Sequence, residues 1–203
     1  MKLFGTHTSP FVRKVRVVLA EKKIECEFIV ELPRAPDSRI PQLNPLGEIP
    51  TLMIDDSTPI FDSRVIVEYL DNVTPNNKLF PSQNRERTEV KRWEAVADGL
   101  LNAAVAIRME TTMRTEAQQS AEFIGLKRRA IERSLNFIAN ELADKSFCTG
   151  THFSHADVSV GCALGYLEFR FPEIKWRDSY PTLARLYAKL LQRTSFADTV
   201  HTA

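Results

Sequence analysis

Through the first third of the chain the apolar positions switch period several times. Lys2–Gly5 and Glu27–Val30 are short apolar-rich runs of strand type, and between them Val12, Val15, Val18 and Leu19 fall at helical spacing. That order predicts a βαβ unit with two parallel strands. Thr51–Ile54 and Pro59–Phe61 follow, separated by Asp55, Asp56, Ser57 and Thr58, a polar turn cluster suited to an antiparallel hairpin. Ser63 then opens a helix carrying Ile66, Tyr69 and Leu70. The sum is β, α, β, then β, β, α, which predicts a four-stranded mixed sheet with helices packed on it.

Beyond residue 74 the strand signal stops. Thr74, Pro75, Asn76, Asn77 and Lys78 form a linker, followed by Pro81. Val90, Trp93, Ala97, Leu100, Leu101, Ala104 and Ile107 then recur at helical intervals within Arg87 to about Arg114, as do Ile131, Leu135, Ile138 and Leu142. Ser154 stands ahead of Val158, Val160 and Leu164 with Asp157 placed to reach back to it, the pattern of a capping box. Pro181 starts a last helix through Leu183, Leu186, Tyr187, Leu190 and Leu191. The chain therefore reads as α/β plus all-α: one domain over 1–78 and a helical bundle over 86–203. Trp93, Trp176 and the phenylalanines of the second domain are read as core.

Composition narrows what such a protein does. With 203 residues and 43% hydrophobic content there is material for a real core. Lys and Arg number 27 against 26 Asp and Glu, so no net field draws nucleic acid or an anionic membrane. Gly5, Pro10 and nearby charges interrupt any signal-peptide core, and no run of about 18 apolar residues occurs. Cys26, Cys148 and Cys162 are odd in number and scattered, without a CxxC pair, which argues against a disulfide framework or zinc site. His7, His152, His155 and His201 lack ligand spacing with acidic or cysteine partners. A cytoplasmic protein without a metal is expected.

Three short stretches carry the candidate chemistry. Ser9 followed by Pro10 ahead of an apolar-periodic run is a helix start, with Ser9 as N-cap. A hydroxyl at the positive end of a helix can also donate to a bound thiolate and lower the thiol's pKa, and both roles need the same place. Pro50 precedes a strand within Gly-Glu-Ile-Pro-Thr-Leu. Asp62 and Ser63 lie at a strand-to-helix junction, where both are ordinary caps and also suit a ligand end carrying a carboxylate beside an ammonium.

Taken in order, SPFVRKVRVVLAEK from Ser9, NPLGEIPTL from Asn44 and the pair Asp62–Ser63 resemble the glutathione-binding domain of glutathione S-transferases. The opening string is similar to that of the serine-type members, notably the plant tau class. The resemblance implies a thioredoxin-like first domain, with Ser9 catalytic and Thr8 a possible helper. It implies glutathione contacts from Ser9, Phe11, Ile49, Pro50, Asp62 and Ser63, with a cis Ile49–Pro50 bond turning the Ile49 backbone towards the peptide. Omega and beta members carry Cys at the catalytic position, and tyrosine-type members a Tyr near the first strand; here Phe4 and Gly5 occupy that stretch and the first Tyr is Tyr69. Many members have Lys where this chain has Glu48, so Arg34 or Arg39 is the candidate for the glycine end of glutathione.

The same resemblance places an electrophile against the first long helix, at Leu101, Val105, Arg108, Met109 or Thr112. The expected reaction is attack of the glutathione thiolate on a small hydrophobic electrophile, with glutathione as co-substrate, by a homodimer with no nucleic-acid or membrane partner. Two alternatives stay open. One is a non-catalytic interaction protein similar to the stringent starvation proteins, which bind RNA polymerase; the other is a glutathione-dependent isomerase or dehalogenase.

Overall fold

The computed structural model describes residues 1–202. The chain divides into two compact units, one made of residues 1–80 together with the chain from Leu191 onward, the other of Pro81–Leu190. The sequence reading extended the helical domain to residue 203; the segment past Leu190 instead groups with the first unit, because its contacts run to the helix that follows the first strand.

The first unit is thioredoxin-like. Strands β1 (Lys2–Gly5), β2 (Glu27–Val30), β3 (Thr51–Met53) and β4 (Pro59–Ile60) form a mixed sheet in the order β2-β1-β3-β4. β1 and β2 run parallel with Leu3 opposite Phe28, as the βαβ reading requires. β3 runs antiparallel to β1 with Phe4 opposite Thr51, and β4 antiparallel to β3 with Leu52 opposite Ile60. Alternation along β1 sends Leu3 and Gly5 to one face and Phe4 to the other.

Phe4, with Met53, packs against Ile40, Leu43, Ile49 and Ile29, which places the short helix α2 (Ile40–Leu43) over that face. A four-residue helix is too short to leave a periodic signal, and the sequence reading passed over it. Helix α1 (Pro10–Lys22) connects the parallel strands, and α3 (Ser63–Val73) follows the hairpin and packs on α1. The hairpin turn is held by Asp55, whose carboxylate accepts from the Ser57 and Thr58 amides, both at 2.8 Å.

In the second unit α4 (Asn84–Met113), α5 (Ala121–Leu142) and α6 (His155–Arg170) form the bundle, followed by α7 (Trp176–Ser179) and α8 (Pro181–Leu191). Trp93 and Trp176 are buried, as expected. Ser154 and Asp157 form the reciprocal capping box at the head of α6. Asp157 accepts from the Ser154 amide at 2.9 Å and from the Cys148 amide at 2.8 Å. Burial raises the Asp157 pKa and outweighs those hydrogen bonds. Among the described residues no helix is long and apolar enough to cross a membrane, and no three His, Cys, Asp or Glu side chains gather as a metal site.

Candidate functional site

The strand register alone brings the three motifs together. Ser9 follows the C-terminal end of β1. The Ile49–Pro50 bond precedes the N-terminal end of β3, which lies beside the end of β1 because the two strands are antiparallel. Asp62 follows the C-terminal end of β4, which returns to the start of β3. The loop after β2 starts here too, since β2 is parallel to β1. One end of the sheet thus collects residues from four separate stretches of chain.

At the end of β1 a close approach sets the direction of the next helix. A Cβ on Gly5 would stand 2.4 Å from Cγ2 of Val12, so only glycine lets the first turn of α1 come this near. Ser9 is the N-cap: its Oγ accepts from the Val12 amide at 3.3 Å and its carbonyl accepts from the Arg13 amide at 3.0 Å. Pro10 is buried at the first helical position. Because Ser9 Oγ acts as acceptor in the cap, its own proton remains available to donate. Thr8, the possible helper beside it, pairs through its Oγ1 with Thr6 Oγ1 at 3.2 Å. Phe11 is half-buried, with Lys14 Nζ 5.9 Å from its ring centroid.

The Ile49–Pro50 peptide is cis. Ile49 lies outside β3, and the β1–β3 ladder begins only at Thr51, so the Ile49 peptide groups are left out of the sheet pairing. The carbonyl of Glu48 accepts from Asn44 Nδ2 at 2.8 Å and from Thr51 Oγ1 at 3.2 Å, pinning the loop on both sides. The Glu48 side chain is exposed. Of the two arginines weighed beside it, Arg39 is bound to Glu31: its Nη2 lies 2.8 Å from Glu31 Oε2, and its amide donates to Oε1 at 2.7 Å. Its guanidinium also stacks 5.0 Å from the Phe4 ring centroid. Arg34 is exposed in the same loop.

Asp62 is the N-cap of α3, accepting from the Arg64 amide at 2.9 Å. Ser63 is buried, and its hydroxyl donates to Asp62 Oδ1 at 3.0 Å. Arg64 Nη2 lies 3.3 Å from Asp62 Oδ2, an ion pair that the sequence reading missed because neighbouring residues at a helix start carry no periodic signal. Partial burial pushes the Asp62 carboxyl upward, but the Arg64 amide and the Arg64 charge outweigh it and hold the pKa below the usual range. Asp62 is therefore a carboxylate at neutral pH.

The residues proposed for an electrophile all lie on α4, in the second unit. Leu101 is fully buried. Val105, Arg108 and Met109 are half-buried, and Thr112 is exposed with its hydroxyl donating to the Arg108 carbonyl at 2.6 Å. The surface of α4 is thus offered by Val105, Arg108, Met109 and Thr112 rather than by Leu101.

Comparison with known proteins adds the following. Residues 3–78 match the family described as the glutathione S-transferase N-terminal domain, and residues 88–189 the glutathione S-transferase C-terminal domain. The uncharacterized GST-like protein YibF of Escherichia coli is 38% identical over 199 residues, 98% of each chain. A crystal structure of a glutathione S-transferase from Methylobacillus flagellatus with glutathione bound superposes with a TM-score of 0.96 at 43% identity, covering 99% of each chain. A second, from Methylobacterium radiotolerans in complex with glutathione sulfonate, superposes at 0.95 with 36% identity, covering 100% of this chain and 95% of that one.

Proposed function

The chain belongs to the glutathione S-transferase superfamily, and from that premise we propose that it binds glutathione at the loop end of its sheet and activates the thiol for attack on a small hydrophobic electrophile. The observation that carries this reading is the convergence of Ser9, the cis Ile49–Pro50 bond and Asp62–Ser63 at that end. The Ser9 hydroxyl accepts one bond in the helix cap and has its proton left for a thiolate. The helix dipole acts in the same direction, so the bound thiol ionises below its free value.

The Ile49 peptide groups, standing outside the ladder, pair with the cysteine backbone of glutathione as an added strand would. The γ-glutamyl end carries a carboxylate and an ammonium side by side. The Ser63 amide at the head of α3, joined by the Ser63 hydroxyl once it turns from Asp62, takes the first, and the Asp62 carboxylate takes the second. Catalysis is then positioning plus a lowered thiol pKa. Val105, Arg108 and Met109, half-buried on α4, are the residues proposed to contact the electrophile. Assembly as a homodimer, a cytoplasmic location and a role in detoxification belong to the same proposal.

Calorimetric titration of glutathione into the wild type and Ser9→Ala, with a thiolate absorbance titration of each complex, is the test. The expected result is similar affinity, with the thiol pKa returning towards about 8.5 in the variant. No binding by the wild type at millimolar glutathione overturns the proposal and favours a non-catalytic interaction protein. Turnover without consumption of glutathione would assign an isomerase or dehalogenase instead.

A further inference from the structure

The chain past Leu191 turns back along α1. At the last turn of α1, Glu21 receives Arg193 through Nε at 2.8 Å and Nη2 at 2.7 Å. The hydroxyl of Ser195, in the short helix α9 (Thr194–Ala197), also donates to Glu21. Further along, Arg13 Nη2 donates to the Phe196 carbonyl at 3.3 Å and Arg16 Nη2 to the Asp198 carbonyl at 3.4 Å. Thr199, buried, ties the segment to itself by donating to the Ser195 carbonyl at 2.6 Å. The run ends at His201, whose Nδ1 lies 3.2 Å from the carbonyl oxygen of His7. A carbonyl only accepts, so Nδ1 of His201 carries the proton.

His7 stands two residues before Ser9, and it is held from a second side. Arg16 Nη1 donates to His7 Nδ1 at 3.2 Å, while the His7 ring meets the Phe28 ring edge-on at 4.9 Å. Around His7 and Thr8 the loop closes on itself, the Ser9 amide donating to the Thr6 carbonyl at 3.3 Å. The peptide carrying the His7 carbonyl leads directly into Thr8 and Ser9, so a rotation of that peptide turns the Ser9 hydroxyl.

We propose that the segment from Arg193 to His201 is a strap that aims the Ser9 hydroxyl, with His201 as a positioning residue acting through the His7 carbonyl. The proposal rests on Ser9 being the thiol-activating group. Glu21–Arg193 anchors the strap at one end of α1, and His201 delivers its restraint at the other. His201 itself touches no substrate in this arrangement, so its loss changes activation more than binding.

The test compares wild type, His201→Ala and His201→Asn, whose side-chain amide can restore the donor. His201→Ala is expected to keep glutathione affinity and thermal unfolding near wild type, raise the bound thiol pKa by about half a unit and lower kcat about threefold at unchanged KM. His201→Asn is expected to recover most of both. Amide exchange of residues 8–12 in the glutathione-free protein should quicken in His201→Ala alone. A wild-type thiol pKa and wild-type exchange in His201→Ala overturn the strap. Quickened exchange in a protein that proves not to lower the thiol pKa at all supports the strap while rejecting the role of Ser9, so the two failures are separable.

Discussion

Gly5 and Val12 touch where the end of β1 meets the first turn of α1: a Cβ on Gly5 would come within 2.4 Å of one Val12 methyl and 2.9 Å of the other. The contact sets how near the helix start, and with it Ser9, stands to the sheet. Gly5→Ala forces β1 and α1 apart, and overpacking of this kind costs about 1–3 kcal/mol. The expected outcome is that loss in denaturant unfolding, together with a raised pKa for the thiol of bound glutathione. A stability loss with an unchanged thiol pKa would show that the Ser9 turn is fixed independently of α1.

Lys22 is a fully buried cation at the C-terminal end of α1, and its ammonium reaches the Asp71 carboxylate at 3.2 Å and the carbonyls of Asp71 and Thr74, each at 3.1 Å. Asp71 in turn accepts from the Leu79 amide at 2.8 Å. The pair therefore staples α1, the end of α3 and the linker to residue 79. Lys22→Met keeps the volume but takes the buried cation from the Asp71 carboxylate, which keeps the Leu79 amide, and from the Thr74 carbonyl, which is expected to cost about 3–5 kcal/mol. Thermal unfolding at neutral pH checks it, and a loss below about 1 kcal/mol would mean that water enters and replaces the ammonium.

These buried ions mark the boundary of what the sequence discloses. The strand and helix order, the hairpin and the Ser154–Asp157 box are written in local patterns of period and capping, and they were readable. Ser9, Pro50 and Asp62–Ser63 stood out in the sequence only through their resemblance to a family, and their gathering at one end of the sheet comes from the register of β1, β3 and β4, which no local pattern writes. Arg13, Lys14 and Lys22 lie buried on α1 although their type favours the surface. Arg13 and Lys22 find partners far along the chain, in the Phe196 carbonyl for Arg13 and in Asp71 for Lys22, and no local pattern encodes those. The return of the C-terminal segment to α1 was hidden for the same reason, since Glu21 and Arg193 meet only in three dimensions.

That meeting gives a pH dependence. Burial pushes the Glu21 carboxyl upward, but hydrogen bonds from Arg193 and Ser195, the Arg193 charge and Asn77 outweigh it, so its pKa in the folded protein is lowered. A depressed carboxyl stabilises the fold fully above its unfolded value of about 4.3, and that contribution fades as pH falls through the lower folded value. At neutral pH Glu21→Gln is expected to cost about 2 kcal/mol, the scale of hydrogen bonds to a charged group. The gap between wild type and variant should close in urea titrations below about pH 4. A gap that stays constant into acid would mean that Glu21 contributes by packing and not by charge.

Ser63 and Ser9 open two different helices, and their hydroxyls are assigned different work. Ser63 is 3% exposed, and its hydroxyl donates to Asp62, which also accepts the Arg64 amide. Placed beside the γ-glutamyl end, Ser63 stands away from the sulfur in the proposed pose. Ser63→Ala should therefore weaken glutathione binding about tenfold, equivalent to about 1.4 kcal/mol, while leaving the bound thiol pKa where it was. Ser9→Ala should do the reverse. Calorimetry and thiolate absorbance on the two variants separate the roles: if Ser63→Ala raises the thiol pKa as much as Ser9→Ala does, the hydroxyls do not divide anchoring from activation, and the helix dipole of α1 becomes the better account of the lowered pKa.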